Sequence, residues 1–233
     1  MILDLHPGIR IRTVTIGSEK SPLVVIDNFV ADPEALVRYA AASTFRPIGA
    51  YYPGVRTEAP LEYAQLIVTR LGGMLRETFA LPGEKLRFQL CHYSLITTPA
   101  SQLKLLQRIP HFDSVEPDGL ATVHYLFHRN LGGTAFYRHR KTGFESITEA
   151  RRDIYYRSLE SENDGPNMPP PGYINGDTAL FEEIAREDGV FNRMLIYRRN
   201  CLHSGCIDKD FVPDPNPLTG RLSINTFIDF LAS

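Results

Sequence analysis

The 233-residue sequence has only three cysteines, no long apolar run and no marked excess of either charge. Each lack removes a class of answer. Cys91, Cys201 and Cys206 are too few, and odd in number, for a disulfide framework, and they fit a reducing cytoplasm. Cys201 and Cys206 are also too widely spaced for a C-x-x-C redox pair, so packing is the simplest role for all three. No segment approaches the ~20 apolar residues of a membrane span. The opening MILDLHPGIR lacks the apolar centre of a signal peptide, so the expectation is a cytoplasmic protein without a membrane partner. A net charge of -2 gives no basic surface for general nucleic-acid binding. With 43% hydrophobic residues the chain can bury one ordinary core unaided. No repeat or linker divides it, so residues 1–233 read as a single domain.

Periodicity then places elements. SPLVVIDNFV (21–30) is β-branched and apolar, a buried strand. Asp32 and Pro33 open a helix as N-cap and first residue, with Leu36, Val37, Tyr39 and Ala40 on its apolar side. Pro47 to Gly54 reads as loop. Leu61, Ala64, Ile67, Val68, Leu71 and Leu75 share one face of a longer helix ended by Pro82-Gly83. From Leu86 the period falls to two. LRFQLCHYSLI puts Phe88, Leu90, His92 and Ser94 on one face and Arg87, Gln89, Cys91, Tyr93 and Leu95 on the other. Further strands are expected at 120–128, 134–139, 193–199 and 221–231. Helices first and strands later predict an α+β fold, with helices backing a β core. Between strands, the segment 138–180 begins with charge, holds a helix near 148–159 and ends in NDGPNMPPPGYINGD. Such a composition reads as a long surface loop of the kind that often forms a lid.

The chemistry concentrates in three residues. His111 and Asp113 lie two apart in Ile109-Pro110-His111-Phe112-Asp113, a spacing that puts both side chains on one side of an extended chain. His203 follows some ninety residues later in Asn200-Cys201-Leu202-His203-Ser204-Gly205. Two histidines and one carboxylate form the set that holds a non-haem ferrous ion and leaves coordination positions open. An isolated H-x-D is a common tripeptide, and its bland reading is a surface or capping pair. What strengthens it is its surroundings: an alternating strand and Gly-Gly-Thr-Ala-Phe after Asp113, MLIYRR before His203, and Gly-Arg-Leu-Ser after it.

With those segments the sequence resembles the iron(II)- and 2-oxoglutarate-dependent dioxygenases, on the prolyl-hydroxylase-like side of that superfamily, over residues 22–230. HFDSVEPDGLATVHYLFHRNLGGTAFY resembles the first metal-ligand strand, the next strand and the Gly-Gly turn. FNRMLIYRRNCLHSG resembles the approach to the distal histidine, and GRLSINTF the arginine-bearing strand. The resemblance implies a double-stranded β-helix (jelly-roll) core with flanking helices. It implies Fe(II) held by His111, Asp113 and His203, and 2-oxoglutarate as cosubstrate. Arg221 would pair with the cosubstrate's distal carboxylate through the planar fork of its guanidinium. Ser223 would add a hydroxyl, and Tyr93 matches a tyrosine that also reaches the cosubstrate. The implied reaction oxidises a substrate while 2-oxoglutarate is decarboxylated to succinate. Asp113 favours hydroxylation over halogenation, because related halogenases lack that carboxylate. A catalytically silent binding module and a cupin-like enzyme that does not use 2-oxoglutarate are the alternatives; Arg221 and Ser223 argue against the second.

The remaining polar residues take plainer readings. His124 and His128 are expected to be hydrogen-bonded structural histidines, and His92 and His139 have weaker claims still. Asn225 shares the face of Arg221 and Ser223. Gly132-Gly133 reads as a turn needing positive φ. Arg138, Arg140, Lys141, Arg151, Arg152 and Arg157 suggest an anionic small molecule or acidic peptide as substrate, against the simpler reading of a solvated charged face.

Overall fold

The computed structural model describes residues 1–49, 51–83, 85–162 and 165–231. Among them lie ten strands and three α-helices. In chain order these are β1 (Arg10–Ile16), β2 (Ser21–Asp27), α1 (Pro33–Ala41), β3 (Gly54–Glu58), α2 (Leu61–Thr78), β4 (Lys85–Ile96) and β5 (Leu120–Tyr125). Then follow β6 (Gly133–His139), α3 (Glu149–Glu162), β7 (Phe181–Glu187), β8 (Met194–Arg198), β9 (His203–Cys206) and β10 (Leu222–Leu231). The strands form a seven-stranded sheet in the order β1-β2-β8-β5-β10-β4-β3 and a three-stranded sheet in the order β7-β6-β9. Every pairing is antiparallel. No helix among the described residues is long and apolar enough to cross a membrane.

Three apolar clusters define the layering. Alternate residues of β2, β4, β8 and β10, such as Ile26, Tyr93, Ile196 and Ile224, meet α1 and α2 on one face of the large sheet. The opposite residues, such as Val25, Tyr125 and Leu195, meet Phe136 and Ile184 of the small sheet. The outer face of the small sheet, with Ala135, Tyr137 and Phe181, is covered by Tyr155 of α3 and Ile174. The order of layers is therefore helix pair, large sheet, small sheet, helix.

The helices start where expected. Asp32 Oδ1 accepts from Ala35 N at 2.9 Å, and Pro33 follows as the first residue, so α1 is capped as its sequence dictates. In α2 the buried stripe is Tyr63, Leu66, Ile67, Leu71, Gly72 and Leu75. Each large member contributes about 1.5–3 kcal/mol by leaving water. Leu61 and Val68, expected on that stripe, are exposed. The stripe is rotated because Tyr63 turns inward to hydrogen-bond His124 Nδ1 at 3.1 Å.

Strand β4 departs from simple alternation. Phe227 of β10 faces Leu90 but Ile228 faces Phe88, so Gln89 is an extra residue in β4, a β-bulge. The bulge shifts the phase of the strand. Leu86 and Phe88 before it and Cys91, Tyr93 and Leu95 after it all face the helices. The uniform alternation expected over 86–96 holds only beyond the bulge.

Candidate metal centre

The three candidate ligands meet through main-chain pairing. β9 begins at His203 and lies beside β6, with Phe136 opposite His203. The segment carrying His111 then joins it: His111 N donates to His203 O and His203 N to His111 O, both at 2.9 Å. His111 makes only this single bridge and is not part of a strand. The extended geometry expected for His111–Asp113 is replaced by a turn, in which Asp113 N and Ser114 N both donate to Arg199 O, at 2.8 and 3.3 Å. That turn carries the Asp113 carboxylate back towards both imidazoles.

One ligand atom from each residue lies within 4.8 Å of the others. Asp113 Oδ1 is 3.7 Å from His111 Nε2, and Oδ2 is 3.6 Å from His203 Nε2. Two ligands at ~2.1 Å from a metal and at right angles would sit about 3.0 Å apart, so the three groups would draw in on binding an ion. His203 Nδ1 lies 3.0 Å from Cys201 O. A carbonyl only accepts, so Nδ1 carries the proton and the Nε2 lone pair is directed at the other two ligands. The donor set of two imidazoles and one carboxylate fits a divalent transition metal. Burial, then positive charge on His203 when it is protonated and on Arg56, push the His111 pKa down, although about half of its side chain remains exposed. Burial raises the Asp113 pKa against the pull of His203, Arg199 and Arg56.

The triad lines a cavity of about 480 Å³, within the range of small-molecule sites. The cavity also receives Arg221, Ser223, Asn225 and Phe227 from the start of β10 and the residue before it, on the face away from the helices. Arg221 is 5% exposed. Its Nε donates to Leu131 O at 2.9 Å and its Nη2 to Gly133 O at 2.8 Å, leaving Nη1 for the cavity. The Gly-Gly turn makes this seat. Gly132 has φ +82°, and a Cβ there would stand 2.0 Å from Cys206 O. Ser223 Oγ donates to Asn225 Oδ1 at 2.9 Å.

Tyr93 is placed elsewhere. It is fully buried on the helix side of β4, and its hydroxyl donates to Leu36 O at 2.9 Å. The neighbouring position points the other way, so Ser94 rather than Tyr93 faces the cavity side, where Arg56 Nε donates to Ser94 Oγ at 3.1 Å. The cosubstrate role expected for Tyr93 is thereby corrected. The residues that sequence reasoning passed over are Arg56 and Tyr52, both on the cavity wall, with the guanidinium carbon 4.0 Å from the ring centre. Arg56 sits in a short strand straight after Pro53-Gly54, where turn residues mask the strand signal.

His92, His124, His128 and His139 lie away from the cavity wall. His124 is fully buried, with Nδ1 at 3.1 Å from Tyr63 Oη and Nε2 at 3.1 Å from Asn192 Oδ1. His139 contacts Thr142 and Glu162, and His128 contacts Glu34. His92 has Nδ1 buried without a partner, away from the cavity wall. The long segment expected over 138–180 begins two residues later, because Arg138 and His139 complete β6. It contributes Tyr155, Tyr156, Leu159 and Tyr173 to the cavity wall. None of its six expected cationic residues lines the cavity. Arg138 pairs with Glu145 and Glu182, Arg140 with Asp177, Arg151 with Glu19, and Arg152 with Glu149 and Asp153. The charge crowd is thus mostly a set of ion pairs on the protein itself, and it is not what the cavity presents to a ligand.

Fold and site together define a two-sheet antiparallel β protein with a His-Asp-His cluster that could hold a metal ion in a cavity. The chain belongs to the family described as "Family of unknown function (DUF6445)", whose model matches residues 7–228. No curated protein matches the chain significantly. Similar solved structures include the non-haem α-ketoglutarate-dependent epimerase SnoN from nogalamycin biosynthesis, at 11% identity and a TM-score of 0.49, covering 90% of this chain and 78% of that one. HygX from Streptomyces hygroscopicus with nickel and 2-oxoglutarate bound gives 11% and 0.49, covering 91% and 84%. HygX with iron bound gives 12% and 0.44, covering 95% and 82%. At such distant likeness, what supports a metal here is the donor set of the chain itself.

Proposed function

We propose that the protein is an Fe(II)- and 2-oxoglutarate-dependent oxygenase, built on a jelly-roll core and hydroxylating a small-molecule substrate. The observation that carries this reading is the convergence of His111, Asp113 and His203 in one cavity with Arg221 and Ser223. His111, Asp113 and His203 would hold the iron on one face and leave the opposite positions free. Bound iron with 2-oxoglutarate and oxygen supplies an oxidative decarboxylation to succinate and carbon dioxide that drives oxidation of a substrate C–H bond.

The chain's own residues bind and orient. The Cys201 carbonyl fixes the His203 tautomer. Arg221, held by two carbonyls, offers Nη1 to the distal carboxylate of 2-oxoglutarate, and Ser223 stands on the same face, where its hydroxyl would turn from Asn225 Oδ1 to the cosubstrate. Val123, Ile207 and Phe227 give this end of the cavity apolar walls that limit water. The segment 140–180 would act as the lid and set substrate choice, since Tyr155, Tyr156, Leu159 and Tyr173 reach the cavity from it. Tyr173 ties it down through its hydroxyl, 2.7 Å from Thr98 O.

The test is succinate formation by the iron-loaded protein. Release that requires both iron and 2-oxoglutarate, and that vanishes in Asp113→Ala, is the expected result. A wild-type protein that neither binds 2-oxoglutarate nor forms succinate overturns the reading in favour of a silent binding module. Deleting residues 160–172 should leave iron and 2-oxoglutarate binding intact and abolish productive turnover; unchanged turnover would remove the lid.

A further inference from the structure

The cavity holds a second arginine that the proposed reaction does not use. Arg56 comes from the edge strand β3, and no acid among the described residues forms an ion pair with it. Its Nε is taken by Ser94 Oγ at 3.1 Å and its guanidinium lies 4.0 Å from the Tyr52 ring centre. Burial pushes the Tyr52 hydroxyl up to about 12, against the pull of Arg221 and Arg56 and a hydrogen bond to Ser94, so it stays a neutral platform. The two Nη groups carry no hydrogen bond among the described residues. The nearest charge that acts on it is the Asp113 carboxylate, which is beyond ion-pair distance, and a partly buried cation so weakly countered is costly unless something supplies more. Every other feature of Arg56 holds it in place: a ring beneath, a hydroxyl on Nε, and main-chain bonds to Arg46 at 2.8 and 2.9 Å.

The register fixes where this cation stands. Arg56 faces Ser94, and Ser94 faces Ser223, so the three lie in one row across β3, β4 and β10. Two strand spacings put the Arg56 backbone roughly 10 Å from that of Ser223. On the reading proposed above, the two anionic ends of 2-oxoglutarate are met by the metal and by Arg221. Arg56 is left for another molecule in the same cavity. The rest of the wall describes that molecule's body: Phe112 lies 6.1 Å from Tyr155 and 6.0 Å from Tyr156, ring centre to ring centre, which makes an aromatic surface on the lid side.

We infer that Arg56, backed by Tyr52 and Ser94, is the substrate anchor, and that the primary substrate is a small molecule carrying a carboxylate on an apolar, ring-bearing body. The inference rests on the function proposed above only in assigning Arg221 to the cosubstrate. It also relocates the source of anion preference, from the ion-paired surface of the insertion to one cavity residue.

The test uses nickel-loaded protein saturated with 2-oxoglutarate, titrated calorimetrically with 4-phenylbutyrate and with its neutral amide. Wild type should bind the acid about tenfold to a hundredfold more tightly, the worth of a charge-assisted hydrogen bond. Arg56→Gln should bring the two ligands level, and Arg56→Lys should keep part of the preference, while both leave 2-oxoglutarate affinity unchanged. A wild type without preference, or a preference that survives in Arg56→Gln, overturns the inference. So does a tenfold loss of 2-oxoglutarate affinity in Arg56→Gln with the acid bound as before, which would make Arg56 part of the cosubstrate seat. If wild type takes up no 2-oxoglutarate, the proposed function fails separately. The acid–amide comparison on metal-loaded protein still decides the matter, because Arg56→Gln and not Arg221→Ala should then erase the preference.

Discussion

The two sides of the seven-stranded sheet are flanked by the same kinds of polar side chain, which the protein treats differently. On the helix face, both ring nitrogens of His124 have partners, Tyr63 and Asn192. Across the cavity, on β9 of the small sheet, His203 uses one nitrogen on Cys201 O and aims the other at Asp113. Tyr93 on the helix face spends its hydroxyl on Leu36 O, while Arg221 on the cavity side keeps its guanidinium Nη1 over. The acids divide likewise. Glu145, near the small sheet, is ringed by Ser18 N, Ser18 Oγ, Glu19 N and Arg138, and its pKa is lowered even though burial alone would raise it. Asp113 goes the other way, and its pKa is raised. A polar group saturated by the protein stabilises the fold; one left short of partners is disposed towards a ligand.

That contrast can be broken most forcefully at the triad. Asp113→Ala or His203→Ala should lower metal affinity by about a hundredfold or more, beyond the 10–100-fold that loss of a ligand's supporting partner costs. Thermal stability of the metal-free protein should hold or rise, because a buried group short of protein partners has been removed; a large fall in Tm would mean the triad is structural. Arg221→Ala comes next. It should weaken 2-oxoglutarate about tenfold to a hundredfold and leave metal affinity unchanged, with Arg221→Lys restoring only part. Calorimetry separates the two, and equal 2-oxoglutarate affinity in wild type and Arg221→Ala removes the cosubstrate seat.

On the saturated side the effects are smaller and fall on stability. His124→Leu strands the Tyr63 hydroxyl and should cost about 2 kcal/mol in denaturant unfolding, with metal affinity intact. Glu145 gives a pH signature. Because its folded pKa lies below the ordinary 4.5, its contribution is complete above that value and is lost as pH falls through the folded pKa. Wild type should therefore melt above Glu145→Gln at neutral pH, and the two curves should converge on acidification; parallel curves would refute the assignment. Tyr93→Phe should cost about 1 kcal/mol and leave 2-oxoglutarate affinity untouched, the reverse of what a cosubstrate ligand would show.

Where a segment's pattern came from burial on one or both faces, it was readable. SPLVVID, LATVHY and MLIYR are apolar because both sheet faces bury them, and α1 announces itself by Asp32-Pro33. The unsignalled strands are those without such burial. RIRTVTI is an exposed edge, GVRTE follows a Pro-Gly turn, FEEIARE is half polar, and HSGC is four residues long. The three candidate metal ligands stood out because chemistry restricts such ligands to few residue types, and the fold brings the three together. Their geometry was not, since it depends on the carbonyl of Arg199 turning Asp113 back. Arg56 left no mark, because one arginine in a five-residue strand looks like any surface cation until the fold shows what lies beside it. Tyr93 was misjudged by one step along β4, where adjacent positions look into different layers.

The bulge at Gln89 has a consequence for how such a protein can vary. β4 is twelve residues long, and only its later part touches both the helices and the cavity row. A pairing that already holds one unmatched residue can absorb or lose a residue at that point without turning the rest of the strand over. Insertions and deletions near 87–90 should thus be confined to the outer end of the sheet, while the stretch that presents Ser94 is handed down in fixed phase. The irregularity works as an expansion joint: it lets one end of the strand drift over generations and keeps the working end aligned.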